Sequence, residues 1–106
     1  MMEVVELAHK MRQEHDDFVL LDVRNPPERE FALIEPSRFI PLHDLYERVD
    51  ELQDVRDKTI IVYCHSGIRS MMATQILQQL DFPSVENLEG GIDAWSCEVD
   101  SEVPRY

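Results

Sequence analysis

Two short segments limit the folds open to this chain: Phe18-Val19-Leu20-Leu21 and Thr59-Ile60-Ile61-Val62-Tyr63. Neither alternates apolar with polar residues, so neither suits a sheet with one face in water. Both fit strands covered on each side, as in a parallel sheet packed between helices. Val4, Leu7, Ala8 and Met11 fall at helical spacing and predict a first helix. Leu42, Leu45, Tyr46, Val49 and Leu52 form a second helical stripe. Ile68, Met72, Ile76 and Leu80 define the inner face of a third, widened by Met71, Ala73 and Leu77. Phe39-Ile40 reads as a brief strand closed by Pro41, Val85 to Leu88 as a late or edge strand, and Ile92 to Cys97 as a last short helix. Asn25-Pro26-Pro27 breaks the chain and leaves one helical turn over Glu28 to Phe31. The expected fold class is α/β: a central parallel sheet of four to five strands with helices on both faces. Ligands of such sheets sit beyond the carboxyl ends of the strands. Asp22 and Cys64 each follow a predicted strand, which puts both on that edge.

Charge and cysteine content narrow the chemistry. With 22 Asp and Glu against 10 Lys and Arg the net charge is −12. Phosphate contacts need a basic face, so neither a nucleic acid nor an anionic membrane is an expected partner. Two cysteines, Cys64 and Cys97, exclude a disulfide framework and a four-cysteine zinc site. No apolar run approaches the ~18 residues of a membrane span. No basic stretch followed by an apolar one opens the chain as in a signal peptide, so a cytoplasmic location is expected. At 106 residues, with 43% apolar and 30% charged, the composition is that of one globular domain over 1–106.

The most informative segment is Cys64-His65-Ser66-Gly67-Ile68-Arg69-Ser70. A cysteine between a buried strand and a helix N-terminus meets backbone N–H groups that the helix leaves unpaired. Their dipoles favour the thiolate. Gly67 lets the loop curl with its amides inward, Arg69 adds a permanent cation at the first helical turn, and Ser70 adds a hydroxyl. The pattern reads as an anion cradle with a nucleophilic sulfur at its floor. From Lys58 to Leu80 there is no Asp or Glu, although acids number 22 of 106, so the field around Cys64 is expected to be less negative than elsewhere. The chain has only three glycines, Gly67 in this loop and Gly90-Gly91 before the last helix, so each is expected to serve a backbone purpose.

These residues resemble the rhodanese (sulfurtransferase) homology domain over nearly the whole chain. The matching pieces, in family order, are Phe18-Val-Leu-Leu-Asp-Val-Arg24, Ile40-Pro41-Leu42, the C-x-x-G-x-R-S loop of Cys64 to Ser70, and Asn87-Leu-Glu-Gly-Gly-Ile-Asp-Ala-Trp95. The resemblance implies a rhodanese-like fold in which Cys64 accepts a sulfane sulfur, becomes a persulfide and passes that sulfur on, with no cofactor or metal. Residues His65 to Ser70 would form the anion-binding loop. Cysteine phosphatases, the related alternative, place five residues between Cys and Arg to enclose a phosphate; here four intervene, a ring better suited to one sulfur atom. Two departures stand out. Ala32-Leu33-Ile34-Glu35-Pro36 replaces the family's Gly-His-Ile-Pro-Gly stretch. His65 and Ser66 stand where thiosulfate-directed members often carry basic residues, so weak use of thiosulfate is expected, with a persulfide-bearing protein the favoured donor over a small sulfur donor. The tail from Glu98 to Tyr106 resembles the end of rhodanese domains attached to adenylyltransferases. That points to a ubiquitin-like sulfur carrier, or a cysteine desulfurase, as partner. A non-catalytic rhodanese-like module that docks a partner is the competing reading.

Other candidates have plainer readings. Asp22 and Arg24 could support the site, but an ion pair bracing the loops is favoured. Trp95 reads as core or lid. Cys97 reads as incidental, although it could serve as a resolving thiol. His9, His15 and His43 lack ligand spacing, so no metal site is expected. Glu14 to Asp17 and the acids Glu98, Asp100 and Glu102 read as solvated surface.

Overall fold

The computed structural model describes residues 1–13 and 17–106. The cluster at Glu14 to Asp17 therefore falls largely outside the described residues, as does His15.

Helix α1 spans Val4–Arg12 and buries Val4, Leu7 and Ala8, with Met11 packed beside them, as the spacing predicts. Strands β1 (Phe18–Asp22), β2 (Arg38–Phe39), β3 (Thr59–Tyr63) and β4 (Val85–Asn87) form a sheet in the order β2-β1-β3-β4, parallel at every pairing. Phe18 lies opposite Thr59 and Asp22 opposite Tyr63, so β1 and β3 end level. Met2 adds one parallel bridge to Leu88 beyond the β4 edge.

The central strands are apolar throughout because each feeds two cores. Leu20, Ile61 and Tyr63 join residues of α1 and of α5 (Gly91–Glu98), including Leu7, Ile92 and Trp95. Trp95 is thus a core residue. Leu21, Ile60 and Val62 face the other way, toward Leu45 of α3 (Leu45–Arg48) and Ala73 and Leu77 of α4 (Ile68–Gln79). Successive strand residues point to opposite faces, so this division follows from the pleat. Helices on both faces complete the parallel α/β architecture that the sequence predicts.

Three elements differ from the sequence reading. Pro26 and Pro27 start α2 (Pro26–Phe31) instead of breaking the chain, since proline tolerates the first helical turn. Asn25 and Glu28 form a capping box at its start. The stripe from Leu42 to Leu52 is not one helix: a 3-10 turn over Leu42–Asp44, the short α3, and a 3-10 stretch over Val49–Val55 follow one another. The third difference is the inner face of α4. Ile68 is 73% and Met72 51% exposed, and Met71 is exposed too. The buried residues are Ser70, Ala73, Thr74 and Leu77. Small side chains let the helix lie close on β3 and β4, and Thr74 Oγ1 returns its proton to the Ser70 carbonyl at 2.8 Å.

Leu77→Ala should cost about 2–5 kcal/mol in urea unfolding, and Met72→Ala less than about 0.5 kcal/mol. Equal losses from the two would contradict the packing.

Candidate active site

Cys64 follows the last residue of β3, and its side chain is 1% exposed. The Gly67 amide donates to Sγ at 3.1 Å and the Ser70 amide at 3.3 Å; Ser70 Oγ lies 3.3 Å from the same sulfur. The sulfur thus sits at the N-terminus of the 12-residue α4, where unpaired amides and the helix dipole both favour negative charge. Gly67 takes φ +115°, a conformation that side chains resist, and this turns its amide inward.

The loop carbonyls point the opposite way. Ile92 N–H donates to the Cys64 carbonyl at 2.9 Å and Asp93 N–H to that of His65 at 3.0 Å. These are amides of the first turn of α5. At Gly91, with φ +59°, a Cβ would lie 2.5 Å from the Cys64 carbonyl oxygen, so only glycine allows the approach. The second glycine-bearing motif is therefore the support of the first. Asn87 closes the assembly, donating from Nδ2 to the Gly67 carbonyl at 3.3 Å and accepting from Ser70 Oγ at 2.5 Å.

At the rim, Arg69 is not an open cation. Its guanidinium forms a two-armed ion pair with Glu28 at 2.6 and 2.8 Å. The expectation of an acid-free surrounding therefore holds along the chain but not in space, because α2 brings this carboxylate in from 41 residues away. Tyr106 donates to Glu28 Oε2 at 2.8 Å and accepts from Arg24 at 3.0 Å. Burial, above all, pushes its hydroxyl up to about 12, so it stays protonated for that role. Its ring stacks on His65, with centroids 4.1 Å apart. His65 is half-buried, Ser66 exposed, and the side chain of Ile68 turned to solvent.

Asp22 and Arg24 are completely buried beneath this rim. Arg24 reaches Asp22 at 2.8 and 2.9 Å and the Ala32 carbonyl at 2.6 Å; Arg29 adds a contact to Asp22 at 3.2 Å. Burial opposes the Arg24 charge, but hydrogen bonds to Asp22 and Tyr106 outweigh it and hold the guanidinium ionised. The pair braces the turn after β1 and reaches the rim through Tyr106 and the Glu28 carbonyl, to which Arg24 donates at 3.0 and 3.3 Å. Cys97 lies apart, exposed on α5. Among the described residues no group of three or more His, Cys, Asp or Glu is placed to hold a metal ion, and no helix is long and apolar enough to cross a membrane.

Residues 4–98 match the family profile of the rhodanese-like domain. The chain belongs to the rhodanese-like domain family. A sulfurtransferase of Allochromatium vinosum is 36% identical over 81 residues, which cover 76% of this chain and 74% of that protein. An adenylyltransferase and sulfurtransferase of Zea mays is 32% identical over 102 residues, 92% of this chain but only 22% of that longer protein. The crystal structure of a rhodanese-related protein from Thermoplasma volcanium matches with a TM-score of 0.81 at 34% identity, covering 92% of this chain and 91% of that one. Family and relatives together support sulfur transfer as the general chemistry of this rhodanese-like chain.

Sequence reasoning singled out the Cys64 loop and expected a backbone purpose for Gly91, which the close approach to the loop carbonyls supplies, but it missed Glu28 and Tyr106 and gave Asn87 no role. Glu28 offers a pH-resolved check. Hydrogen bonds from Arg69, against the opposing effect of burial, hold its carboxyl down to about 2, from an ordinary 4.5. A depressed carboxylate stabilises the fold fully above its unfolded value and loses that contribution as pH falls toward the folded one. Glu28→Gln should therefore cost about 2 kcal/mol at neutral pH, measured by urea unfolding. The gap between variant and parent should be constant above about pH 4.5 and close toward about pH 2. A gap independent of pH would contradict the pairing.

Proposed function

We propose that this rhodanese-like domain transfers a sulfane sulfur through a persulfide on Cys64. The observation that carries the reading is the pair of main-chain amides, Gly67 and Ser70, aimed at Sγ from the head of α4. In the first step the Cys64 thiolate attacks the outer sulfur of a donor. A bond forms between Sγ and that sulfur, the bond to the donor breaks, and the donor leaves with the electron pair as a thiolate. In the second step an acceptor thiolate attacks the outer sulfur and Cys64 departs as thiolate. No net oxidation or reduction occurs. The inward amides stabilise the negative charge that Sγ carries as the attacking thiolate in the first step and as the leaving group in the second.

The donor that fits best is a persulfide carried by a protein. Thiosulfate is a small dianion that calls for uncommitted positive charge, whereas Arg69 is paired with Glu28 and His65 lies under the Tyr106 ring. Beside the loop, exposed Ile68, Met71 and Met72 offer apolar surface of the kind a macromolecular donor can cover. The near-complete burial of Cys64 favours a second reading, in which the domain docks a partner without turning over.

One measurement separates the two. Intact-mass analysis after mixing with a protein persulfide should show a gain of one sulfur atom at Cys64, and Cys64→Ser should abolish both the gain and transfer to a thiol acceptor. Absence of any gain supports the docking module. Transfer by Cys64→Ser at more than about a hundredth of the parent rate would remove Cys64 as nucleophile.

A further inference from the structure

Hydrogen-bonding rules alone fix the direction of the bonds around Ser70. The Gly67 carbonyl can only accept, so the atom of Asn87 that faces it must be the amide nitrogen. Oδ1 of Asn87 then faces Ser70 Oγ, and the hydroxyl has to donate to it. A hydroxyl has one proton. Ser70 therefore presents a lone pair, not a proton, to the sulfur 3.3 Å away. That arrangement suits a thiol, whose S–H can donate to Ser70 Oγ. It does not suit a thiolate, which needs donors. When the sulfur carries charge, the Ser70 proton has to rotate from Asn87 to Sγ, and Asn87 Oδ1 loses its partner.

We infer that Asn87 is a positioning residue acting through Ser70: it holds the serine proton away from Cys64 while the sulfur is a thiol and yields it when the sulfur is an anion. The residue sits at the end of β4, is buried, and its side chain bonds Ser70 and Gly67, not the sulfur itself. Its Nδ2 also lies 3.8 Å from the Met1 sulfur, a weak acceptor that leaves the assignment unchanged. The charged and titratable groups around the sulfur act by other routes. Arg69 of α4 interacts with it electrostatically and is paired with Glu28 of α2. Asp22 and Arg24 close on each other at the end of β1, and Tyr63 of β3 bonds Ser37 and Ile34. Asp93 of α5 pairs with Arg105, Glu86 of β4 with the Met1 amino group, and His65 stacks on Tyr106. None of these contacts includes the Ser70 hydroxyl.

This inference rests on Cys64 as the sulfur-bearing nucleophile, but thiolate formation can be read whether or not sulfur is transferred. In a Cys97→Ser background, so that Cys64 alone reports, the thiolate absorbance is followed against pH. Asn87→Leu should lower the midpoint by about one pH unit, which is about tenfold more thiolate at any pH below both midpoints. In a Ser70→Ala background the same replacement should leave the midpoint unmoved. An unchanged or raised midpoint in Asn87→Leu, or an equal fall without the Ser70 hydroxyl, would overturn the inference. Should Asn87→Leu fail to fold, the otherwise native Cys97→Ser protein supplies the test. The Asn87 side-chain carbonyl carbon resonance should titrate with the thiolate, and that titration should vanish in Ser70→Ala. A resonance indifferent to pH, or one that titrates equally without the hydroxyl, would overturn it. A positive thiolate result with no sulfur uptake would leave Asn87 in its role and remove the transfer reading alone.

Discussion

The amides that open α5 determine which way the peptides of the Cys64 loop point. A peptide unit carries its N–H and C=O on opposite sides, so fixing one fixes the other. Ile92 and Asp93 take the carbonyls of Cys64 and His65, which turns the His65 and Ser66 amides the other way; further along the chain the Gly67 and Ser70 amides bond the sulfur. The approach requires a residue without Cβ at Gly91, where an added methyl would meet two loop carbonyl oxygens at 2.5 and 2.6 Å. Two helix N-termini thus meet at one loop. That of α5 holds its carbonyls, and that of α4 faces its sulfur.

Around this neutral cradle the charges are arranged in closed pairs. A chain of net charge −12 would be a poor host for an anionic sulfur if acids faced it unpaired. The carboxylate nearest the loop in the described contacts is instead tied to Arg69 and to the Tyr106 hydroxyl, and Asp22 is enclosed by Arg24 and Arg29. The same closure commits Arg24, Arg29 and Arg69 to carboxylates.

Much of the fold was legible because its central strands are buried on both faces, which leaves Leu20-Leu21 and Ile60-Ile61-Val62 no polar residue to blur the signal. The loop was legible because its chemistry is local: cysteine, glycine, arginine and serine lie within seven residues. The contacts that complete it are not local. Nothing near Arg69 announces Glu28, which sits 41 residues earlier, or Tyr106 near the far end of the chain. Asn87 was visible only as part of a motif, since its partners converge across two elements. The face of α4 was misread for a physical reason as well. Periodicity favours large apolar residues, yet apart from Leu77 the buried positions are small or hydroxylic so the helix can press on the sheet, while Ile68, Met71 and Met72 stay outside. Local rules fail most often where a surface serves something other than the core.

Main-chain amides hold the sulfur at the head of α4. Amide proton resonances recorded before and after loading Cys64 with one sulfur atom test this directly. The Gly67 and Ser70 resonances should move more than others in the chain, as the charge they face passes from Sγ to the outer sulfur. Loading that leaves both unchanged, with shifts confined to side chains at the rim, would contradict it.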